Sequence, residues 1–367
     1  MTPPPAAVSA LPNLLAVPAH RLSAIRELVA VLTPGRRVAL STHINSDGDG
    51  CGSEVGLSRI LTDLGLEVRI VNPTPWPGVF DFLLGPGVDD RSAEGPSALT
   101  DIDVLAVLDI GDVRRLGGLT DAVRALTVAK LVIDHHVPGD EPPADTVFCD
   151  TSACATGELV FDLALAAGWP ISQSAATALY TALLTDTGGF RFSNTSPRCH
   201  AIAGYLLTLG IDPEDMYRRV YASVSLGRLH LLRDALATLE VDPAHALAWI
   251  SVPAGAVERY GLKSEDLDGI VEHPRSIAGT RMAIFFRDLG HDKVKVSFRS
   301  TGSVDVNVFA RQFGGGGHAK AAGALVPGAL EDVQAQVIDR ARAYVGAAPV
   351  SPPPGATRPR ATGGHGA

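Results

Sequence analysis

The chain has 367 residues, 46% of them hydrophobic, and a formal net charge of -9. This length and composition are typical of a globular protein with a full core, and they predict two domains rather than one. The acidic balance argues against a surface that binds long nucleic acid, because such binding depends on many Lys and Arg contacts to phosphates, but it leaves room for a short anionic substrate in a local basic pocket.

In chain order, the first segment is rich in proline and alanine, and we expect residues 1–18 to be disordered. Apolar runs of strand length then alternate with segments that can hold crossover helices. This alternation is typical of a mostly parallel, doubly wound α/β sheet. The predicted strands span residues 37–41, 67–71, 104–108 and 130–133, and the predicted crossover helices span residues 52–64 and 116–126.

After Asp150 the pattern becomes helical, with predicted helices over residues 157–167, 172–185, 197–209 and 213–222. Leucines at helical spacing then predict a linker helix over residues 225–240. A smaller α/β unit follows, with strands over residues 246–252, 282–287 and 293–299 and helices over residues 254–260, 304–313 and 330–345. The sequence therefore predicts an N-terminal domain over residues 19–224, a C-terminal domain over residues 241–345 and a disordered tail over residues 346–367.

The cysteines and the apolar segments bear on the location of the protein. The four cysteines form neither a CxxC pair nor a dense disulfide framework, so we expect reduced thiols. The N-terminus lacks the basic segment of a signal peptide, and no apolar run approaches the ~20 residues of a membrane span. We expect a cytoplasmic protein without membrane contact.

Acidic and imidazole side chains recur at the ends of several apolar runs. Because the carboxyl ends of parallel strands meet at one edge of a sheet, we expect these side chains to lie close together. Oxygen and imidazole ligands without a thiolate favour Mn²⁺ or Mg²⁺ over a structural zinc ion. The candidates are His43, Asp47 and Asp49 after the first strand, Asp109 after the third, Asp134, His135 and His136 after the fourth, and Asp186 in the segment T-D-T-G-G-F.

Two features favour a pair of ions at this edge. Asp47 and Asp49 flank Gly48, and carboxylates this close repel each other unless they share cations or a proton. A dinuclear site needs a bridging carboxylate, and Asp109 is the natural bridge. Taken singly, these groups also suit structural roles, such as a solvated turn for Asp47 to Gly50 or a cap for Asp186. Their joint occurrence favours the metal site.

The ordered motifs T-H-I-N-S-D-G-D-G, L-D-I-G-D, I-D-H-H and T-D-T-G-G-F resemble the signatures of the DHH phosphoesterase superfamily. The later motif F-G-G-G-G-H-A-K-A-A-G resembles that of the associated DHHA1 domain. Two departures are visible, since Ser46 stands where proline is usual and Gly50 where alanine is usual. Neither departure removes a ligand.

The resemblance implies a role for each motif residue. His43, Asp47 and Asp109 would hold one of two divalent ions, expected to be Mn²⁺. The second ion would be held by Asp49, Asp109, His135 and Asp186. Asp134 would orient the neighbouring imidazoles, and His136 would face the substrate phosphate.

The glycine run from Gly314 to Gly317 allows backbone N–H groups to approach an anion closely, although a bare run of this kind also suits a flexible hinge. The guanidinium of Arg299 suits a phosphate because its planar fork donates two parallel hydrogen bonds. By resemblance to DHHA1 domains, the nucleotide end of the substrate would be bound by Arg299, Ser300, Gly315, Gly316, Gly317 and His318.

Within the superfamily, the two-domain architecture is most similar to the group of bifunctional oligoribonucleases (nano-RNases) and pAp phosphatases. This similarity implies hydrolysis of short RNA to mononucleotides and of pAp to AMP, with pApA and cyclic di-AMP as further candidate substrates. It also implies a homodimer. The alternatives are a RecJ-like single-strand exonuclease, which usually carries extra nucleic-acid-binding modules, and a nucleotide-sensing module without turnover, which is disfavoured because every motif ligand is present.

Overall fold

The computed structural model describes residues 13–144, 146–267, 269–317 and 319–347. The chain divides into two compact units, Met1–Ser223 and Val224–Ala367. His318 and most of the two segments predicted to be disordered lie outside the described residues. Within the described ranges, no helix is both long and apolar enough to cross a membrane. The four cysteines are free thiols, as expected.

The first unit is built on a parallel sheet with the strand order β2-β1-β3-β4-β5. Alternate strand residues enter two separate cores, with Leu40 and Leu108 in one and Ala39 and Val107 in the other. Both faces of the sheet are therefore covered, which confirms the doubly wound prediction. The strands are β1 (Arg37–Ser41), β2 (Glu67–Ile70), β3 (Val104–Leu108), β4 (Ala129–Asp134) and β5 (Thr146–Cys149).

Seven α-helices of the described chain belong to the first unit, and one crossover differs from its prediction. In place of a continuous helix over residues 116–126, a 3₁₀ segment (Val113–Leu119) precedes a short α3, because Gly117 breaks the helix with a φ of 51°. The helices are α1 (Leu22–Val31), α2 (Gly48–Asp63), α3 (Thr120–Ala125), α4 (Thr156–Ala167), α5 (Gln173–Asp186), α6 (Pro197–Leu207) and α7 (Pro213–Tyr221), with further 3₁₀ segments at Ala19–Arg21, Gly78–Leu83 and Ser92–Leu99.

Residues 13–18 belong to the described part of the chain and pack on the first unit. Leu15 and Val17 are half-buried and pack against the larger core of the first unit. The carbonyls of Leu14 and Ala16 accept hydrogen bonds from the guanidinium of Arg198 at 2.6 and 2.7 Å. These apolar and backbone contacts, which composition alone does not reveal, hold residues 14–17 on the fold.

The second unit contains a sheet with the strand order β10-β11-β9-β8-β7-β6, in which β7 and β8 are parallel and the other pairs antiparallel. The sheet again separates two cores, with Phe286 in one and Phe285 in the other. β11 was not predicted because its buried positions Ala322 and Ala324 are small and give a weak apolar pattern. The strands are β6 (Glu240–Asp242), β7 (Leu247–Val252), β8 (Met282–Asp288), β9 (Lys293–Ser300), β10 (Gly316–Gly317) and β11 (Ala321–Pro327).

The helices of the second unit cover both faces of its sheet. The predicted linker helix is present as α8, and its Leu231 and Ala235 are buried in the same core as Phe285. The predicted limits of the two domains remain predictions. The helices are α8 (Leu226–Ala237), α9 (Ala256–Arg259), α10 (Glu272–Arg275), α11 (Val306–Arg311) and α12 (Leu330–Ala347), with a 3₁₀ segment at Ser264–Leu267.

Candidate metal centre

The register of the first sheet brings the ends of three strands together. Ser41 at the end of β1 is paired with Val107, and Leu108 at the end of β3 is paired with Ile133 in β4. The residues that follow these strands therefore start from one edge of the sheet, where the sequence predicts the site. Asp186, the last residue of α5, contributes its side chain to the same site.

Two groups of candidate ligands form at this edge. The Nε2 atom of His43 lies 3.5 Å from Asp109 Oδ2 and 3.9 Å from Asp47 Oδ2. The Nε2 atom of His135 lies 3.6 Å from Asp49 Oδ2, 3.7 Å from Asp109 Oδ1 and 3.7 Å from Asp186 Oδ2. The two oxygens of the Asp109 carboxylate thus face different imidazoles. This is the arrangement that a carboxylate bridging two ions requires.

The residues present fit divalent metal ions. The Nε2 atoms of His43 and His135 are buried and have no hydrogen-bond partner. In each ring the other nitrogen is held by a backbone carbonyl, since His43 Nδ1 donates to Ile44 at 2.9 Å and His135 Nδ1 donates to Ala153 at 3.2 Å. A buried nitrogen without a hydrogen-bond partner costs free energy of folding. Bound cations would give both Nε2 atoms a partner. The oxygen-rich donor set suits Mn²⁺ or Mg²⁺.

Among the protein groups at this edge, the negative charges of the carboxylates are closely spaced and perturb one another's pKa values. Burial and the carboxylates of Asp109 and Asp186 raise the pKa of Asp49 well above its usual value. Burial, partly offset by His135, raises the pKa of Asp186 to about 6. Burial lowers the pKa of His43, but the carboxylates of Asp109 and Asp47 outweigh it and raise that pKa to about 10. The edge is thus a concentration of negative charge that bound protons or bound cations would neutralise.

Asp134 and His136 lie beside the two ligand groups, and their predicted roles remain predictions. Asp134 is 1% exposed, and its Oδ1 accepts a 2.8 Å hydrogen bond from His136 Nδ1. Half of the His136 side chain remains exposed. The hydrogen bond to Asp134 raises the pKa of His136. With Nδ1 donating to Asp134, the Nε2 atom of His136 is an acceptor in the neutral ring and a donor in the protonated ring. The Nδ1 atom also lies 3.5 Å from Asp109 Oδ1.

The segment from Asp150 to Gly157 supports the site, and sequence reasoning missed it. The backbone N–H groups of Thr156 and Gly157 donate to the Asp49 carboxylate at 2.6 and 3.0 Å. The Thr156 hydroxyl donates to Asp109 Oδ1 at 3.0 Å. The N-terminus of α4 therefore fixes two of the predicted ligands, with its partial positive charge directed at Asp49. The only sequence signal is a threonine and a glycine before a helical pattern.

Asn194 supports the site in the same way. Its Nδ2 atom donates to Asp186 Oδ2 at 3.1 Å and to the carbonyl of Cys154 at 2.9 Å. It thus ties the fourth candidate carboxylate to the segment that holds the others. Nothing in its sequence neighbourhood indicates this role.

Behind this segment lies a buried ionic network. Arg21 is 3% exposed and donates at 2.7 Å to each of Asp150, Glu158 and Asp162. Arg198 adds further contacts to Glu158 and Asp162. Because Asp150 and Glu158 flank the supporting segment, the network anchors it at both ends.

The candidate substrate-binding residues of the second unit differ in availability. Arg299 is about one-third exposed, and its Nε lies 3.3 Å from Glu272 Oε1. Ser300 is buried, and its hydroxyl donates to the Val304 carbonyl at 2.7 Å. Gly315 and Gly317 have a packing reason, because a Cβ would lie 2.1 Å from the carbonyl oxygen of Gly323 and 2.5 Å from that of Ala321, respectively. The roles of these residues in binding remain predictions.

Comparisons with known proteins identify the family of the chain. The model of the DHH family, N-terminal domain, matches residues 37–183, and that of the DHHA1 domain matches residues 251–347. The chain is 32% identical to the bifunctional oligoribonuclease and PAP phosphatase NrnA of Thermus thermophilus over 310 residues, which cover 83% of this chain and 89% of that one. The Bacillus subtilis protein of the same name is 29% identical over 306 residues, with coverages of 82% and 92%. A crystal structure of an exopolyphosphatase-related protein from Bacteroides fragilis superposes with a TM-score of 0.82 at 28% identity and covers 89% of this chain and 97% of that one.

Proposed function

Because the chain belongs to the DHH phosphoesterase family with a C-terminal DHHA1 domain, and is thus a metal-dependent hydrolase of phosphoester bonds, we propose that it hydrolyses short oligoribonucleotides to mononucleotides and pAp to AMP. The observation that carries this proposal is the Asp109 carboxylate, whose two oxygens face two separate groups of candidate ligands. The names of the similar proteins support the substrate class.

Two Mn²⁺ ions would fit the site. His43, Asp47 and Asp109 would hold one ion, and Asp49, Asp109, His135 and Asp186 would hold the other. When bound, such ions neutralise charge on phosphate oxygens and lower the pKa of water. The protein groups would orient the substrate: Asp134 holds the His136 ring through Nδ1, and the protonated ring would donate a hydrogen bond from Nε2 to a phosphate oxygen.

In the second unit, Arg299 would pair with a phosphate of the nucleotide, beside the glycine loop at Gly315, Gly316 and Gly317. Ser300 would act by holding Val304 near this loop. The net charge of -9 agrees with short substrates, since long nucleic acid requires many cationic contacts. On the same grounds pApA and cyclic di-AMP are candidate substrates.

A substrate panel tests the proposal. Purified protein with Mn²⁺ is given pAp, an RNA dinucleotide, pApA, cyclic di-AMP and a long RNA at matched concentration, and the released AMP or phosphate is measured. We expect turnover of pAp and the dinucleotide, abolished by a chelator. Preference for the long RNA would favour the RecJ-like alternative, and binding without turnover would favour a sensing module.

A variant of the second unit tests the substrate-binding role. Arg299→Ala should raise KM for pAp about 10-fold and change kcat little, because a charge-assisted contact to phosphate is lost. Arg259→Ala, which removes an exposed cation of α9, is the matched control and should leave KM unchanged. An unchanged KM in Arg299→Ala would contradict this role.

A further inference from the structure

A polar groove in the second unit runs along the neighbouring strands β8 and β9. Its lining includes Arg287 from β8 and Lys295, Ser297 and Arg299 from β9. These β9 residues occupy alternate positions, and the residues between them are buried in the core on the opposite face. The alternation of β9 and its pairing with β8 therefore place four cations on one face of the sheet, and three of them, Arg287, Lys295 and Arg299, line the groove.

Arg287 and Lys295 are direct cross-strand partners in the antiparallel pair of β8 and β9. Like charges in this position repel each other and destabilise a sheet. Neither side chain has an ion-pair partner among the described residues, whereas Arg299 is paired with Glu272. An anion bound between Arg287 and Lys295 would remove the repulsion. The arrangement therefore points to a ligand with negative charge.

The groove is longer than one nucleotide. Lys295 and Arg299 are four residues apart on β9, which at ~3.3 Å per residue separates their Cα atoms by ~13 Å. The neighbouring strand β11 places Gly323 beside Ser297 and Ala321 beside Arg299. Gly323 and Ala321 put no bulky side chain on this face, whereas the exposed Leu325 lies beside Lys295 and offers apolar surface to a ribose or base.

We infer that Arg287 and Lys295 form a second phosphate subsite, which binds a phosphodiester of single-stranded RNA when another phosphate of the same molecule is paired with Arg299. The inference rests on the proposed hydrolysis of short oligoribonucleotides and adds a basis for chain-length preference. The two phosphates of pAp lie on one ribose, so pAp cannot engage both ends of the groove. RNA of three or more nucleotides can.

The test compares Arg287→Ala, Lys295→Ala and the double variant with wild type. KM and kcat are measured for 5′-phosphorylated triadenylate and for pAp with Mn²⁺, and binding of fluorescently labelled triadenylate is measured in a chelator. Lys293→Ala is the matched control, because Lys293 is an exposed lysine on the same strand that does not line the groove. Melting temperatures check that each variant is folded.

We expect each single variant to raise KM and the dissociation constant for triadenylate about 10-fold, and to leave KM for pAp within twofold. The loss should shrink at high salt, since it is electrostatic. Equal losses for triadenylate and pAp, or losses matched by Lys293→Ala, would overturn the subsite. If wild type hydrolyses neither substrate, the proposed function fails, and the binding measurement in chelator still decides whether the groove holds RNA.

Discussion

At the carboxyl edge of the first sheet, Asp49, Asp109 and Asp134 are each 1% exposed, whereas on the β9 face of the second sheet Lys295 is exposed and Arg299 is about one-third exposed. Burying a charge costs much more free energy than leaving it in water, so the first edge is stable only through precise partners. Charges on the second face cost little and interact weakly. Changes at the first edge should therefore have large effects on metal binding and turnover, and changes on the second face small effects on KM.

The largest effect is expected for Asp109→Asn. Asn tolerates the φ of 63° at this position, so the backbone should persist, but the carboxylate shared by the two ligand groups is lost. We expect turnover to fall about 10³-fold or more, together with metal affinity. Without metal, the melting temperature should not fall, because one repelling charge is removed.

Calorimetric metal titration and hydrolysis rates check this prediction. Asp121→Asn is the control, since Asp121 lies on α3 with an almost fully exposed side chain. If Asp109→Asn bound two ions as tightly as wild type, the bridging role of Asp109 would be wrong. The expectation that changes at the first edge have larger effects than changes on the second face would then lose its main support.

Arg21→Met should have the next largest effect, on stability. It removes the buried cation that contacts Asp150, Glu158 and Asp162 and leaves only Arg198 beside Glu158 and Asp162. Breaking a buried ion pair from one side costs about 3–5 kcal/mol. Arg124→Met is the control, because Arg124 pairs with Glu141 and Asp121 at the surface. The melting temperature should drop for Arg21→Met and stay nearly unchanged for Arg124→Met.

The effect of Arg21→Met should depend on pH. Burial raises the pKa of Asp162 even beside Arg21 and Arg198, and removing Arg21 raises it further. A carboxyl group with a raised folded-state pKa contributes most stability at low pH and loses it as pH rises through that pKa. The deficit of the variant should therefore be larger at about pH 7 than at about pH 5. If the melting temperature of Arg21→Met fell below that of wild type by the same amount at both pH values, ionisation of Asp162 would not be the cause of the destabilisation.

Thr156→Val should have a smaller effect, on metal affinity. It removes the hydroxyl that donates to Asp109 Oδ1 at 3.0 Å but retains the backbone N–H that donates to Asp49. Loss of such a supporting bond lowers metal affinity about 10-fold or somewhat more. Calorimetry should show weaker binding, with kcat near wild type at saturating metal. Thr156→Ser retains the hydroxyl and should restore affinity; failure to do so would assign the effect to packing.

The same two regions show what the sequence could predict. The edge residues were predictable because strand ends are visible as apolar runs followed by acids and imidazoles, and parallel strands align those ends. The fold class was predictable for the same reason, since four of the five strands of the first sheet carry clear apolar runs.

The supports of the site were not predictable. Thr156 and Gly157 act through backbone N–H groups on a residue more than a hundred positions away, and a backbone donor leaves no trace in residue type. Gly50, where the family usually has alanine, is also explained only in three dimensions, because a Cβ there would lie 2.7 Å from the Thr42 hydroxyl. Arg287 and Lys295 look like ordinary surface residues until the register pairs them.

The smallest effect is expected for Glu272→Gln on the second face. The carboxylate of Glu272 lies 3.3 Å from Arg299 Nε and would compete with the proposed substrate phosphate for that guanidinium. Its exposed position limits the pair to a weak interaction, so KM for pAp should fall only two- to threefold while kcat is unchanged. Glu240→Gln, at an exposed position of β6, is the control. The decrease should vanish at high salt, since exposed charges are screened. A higher KM would instead mean that Glu272 holds Arg299 in its working orientation, and the second face would then depend on fixed partners as the first edge does.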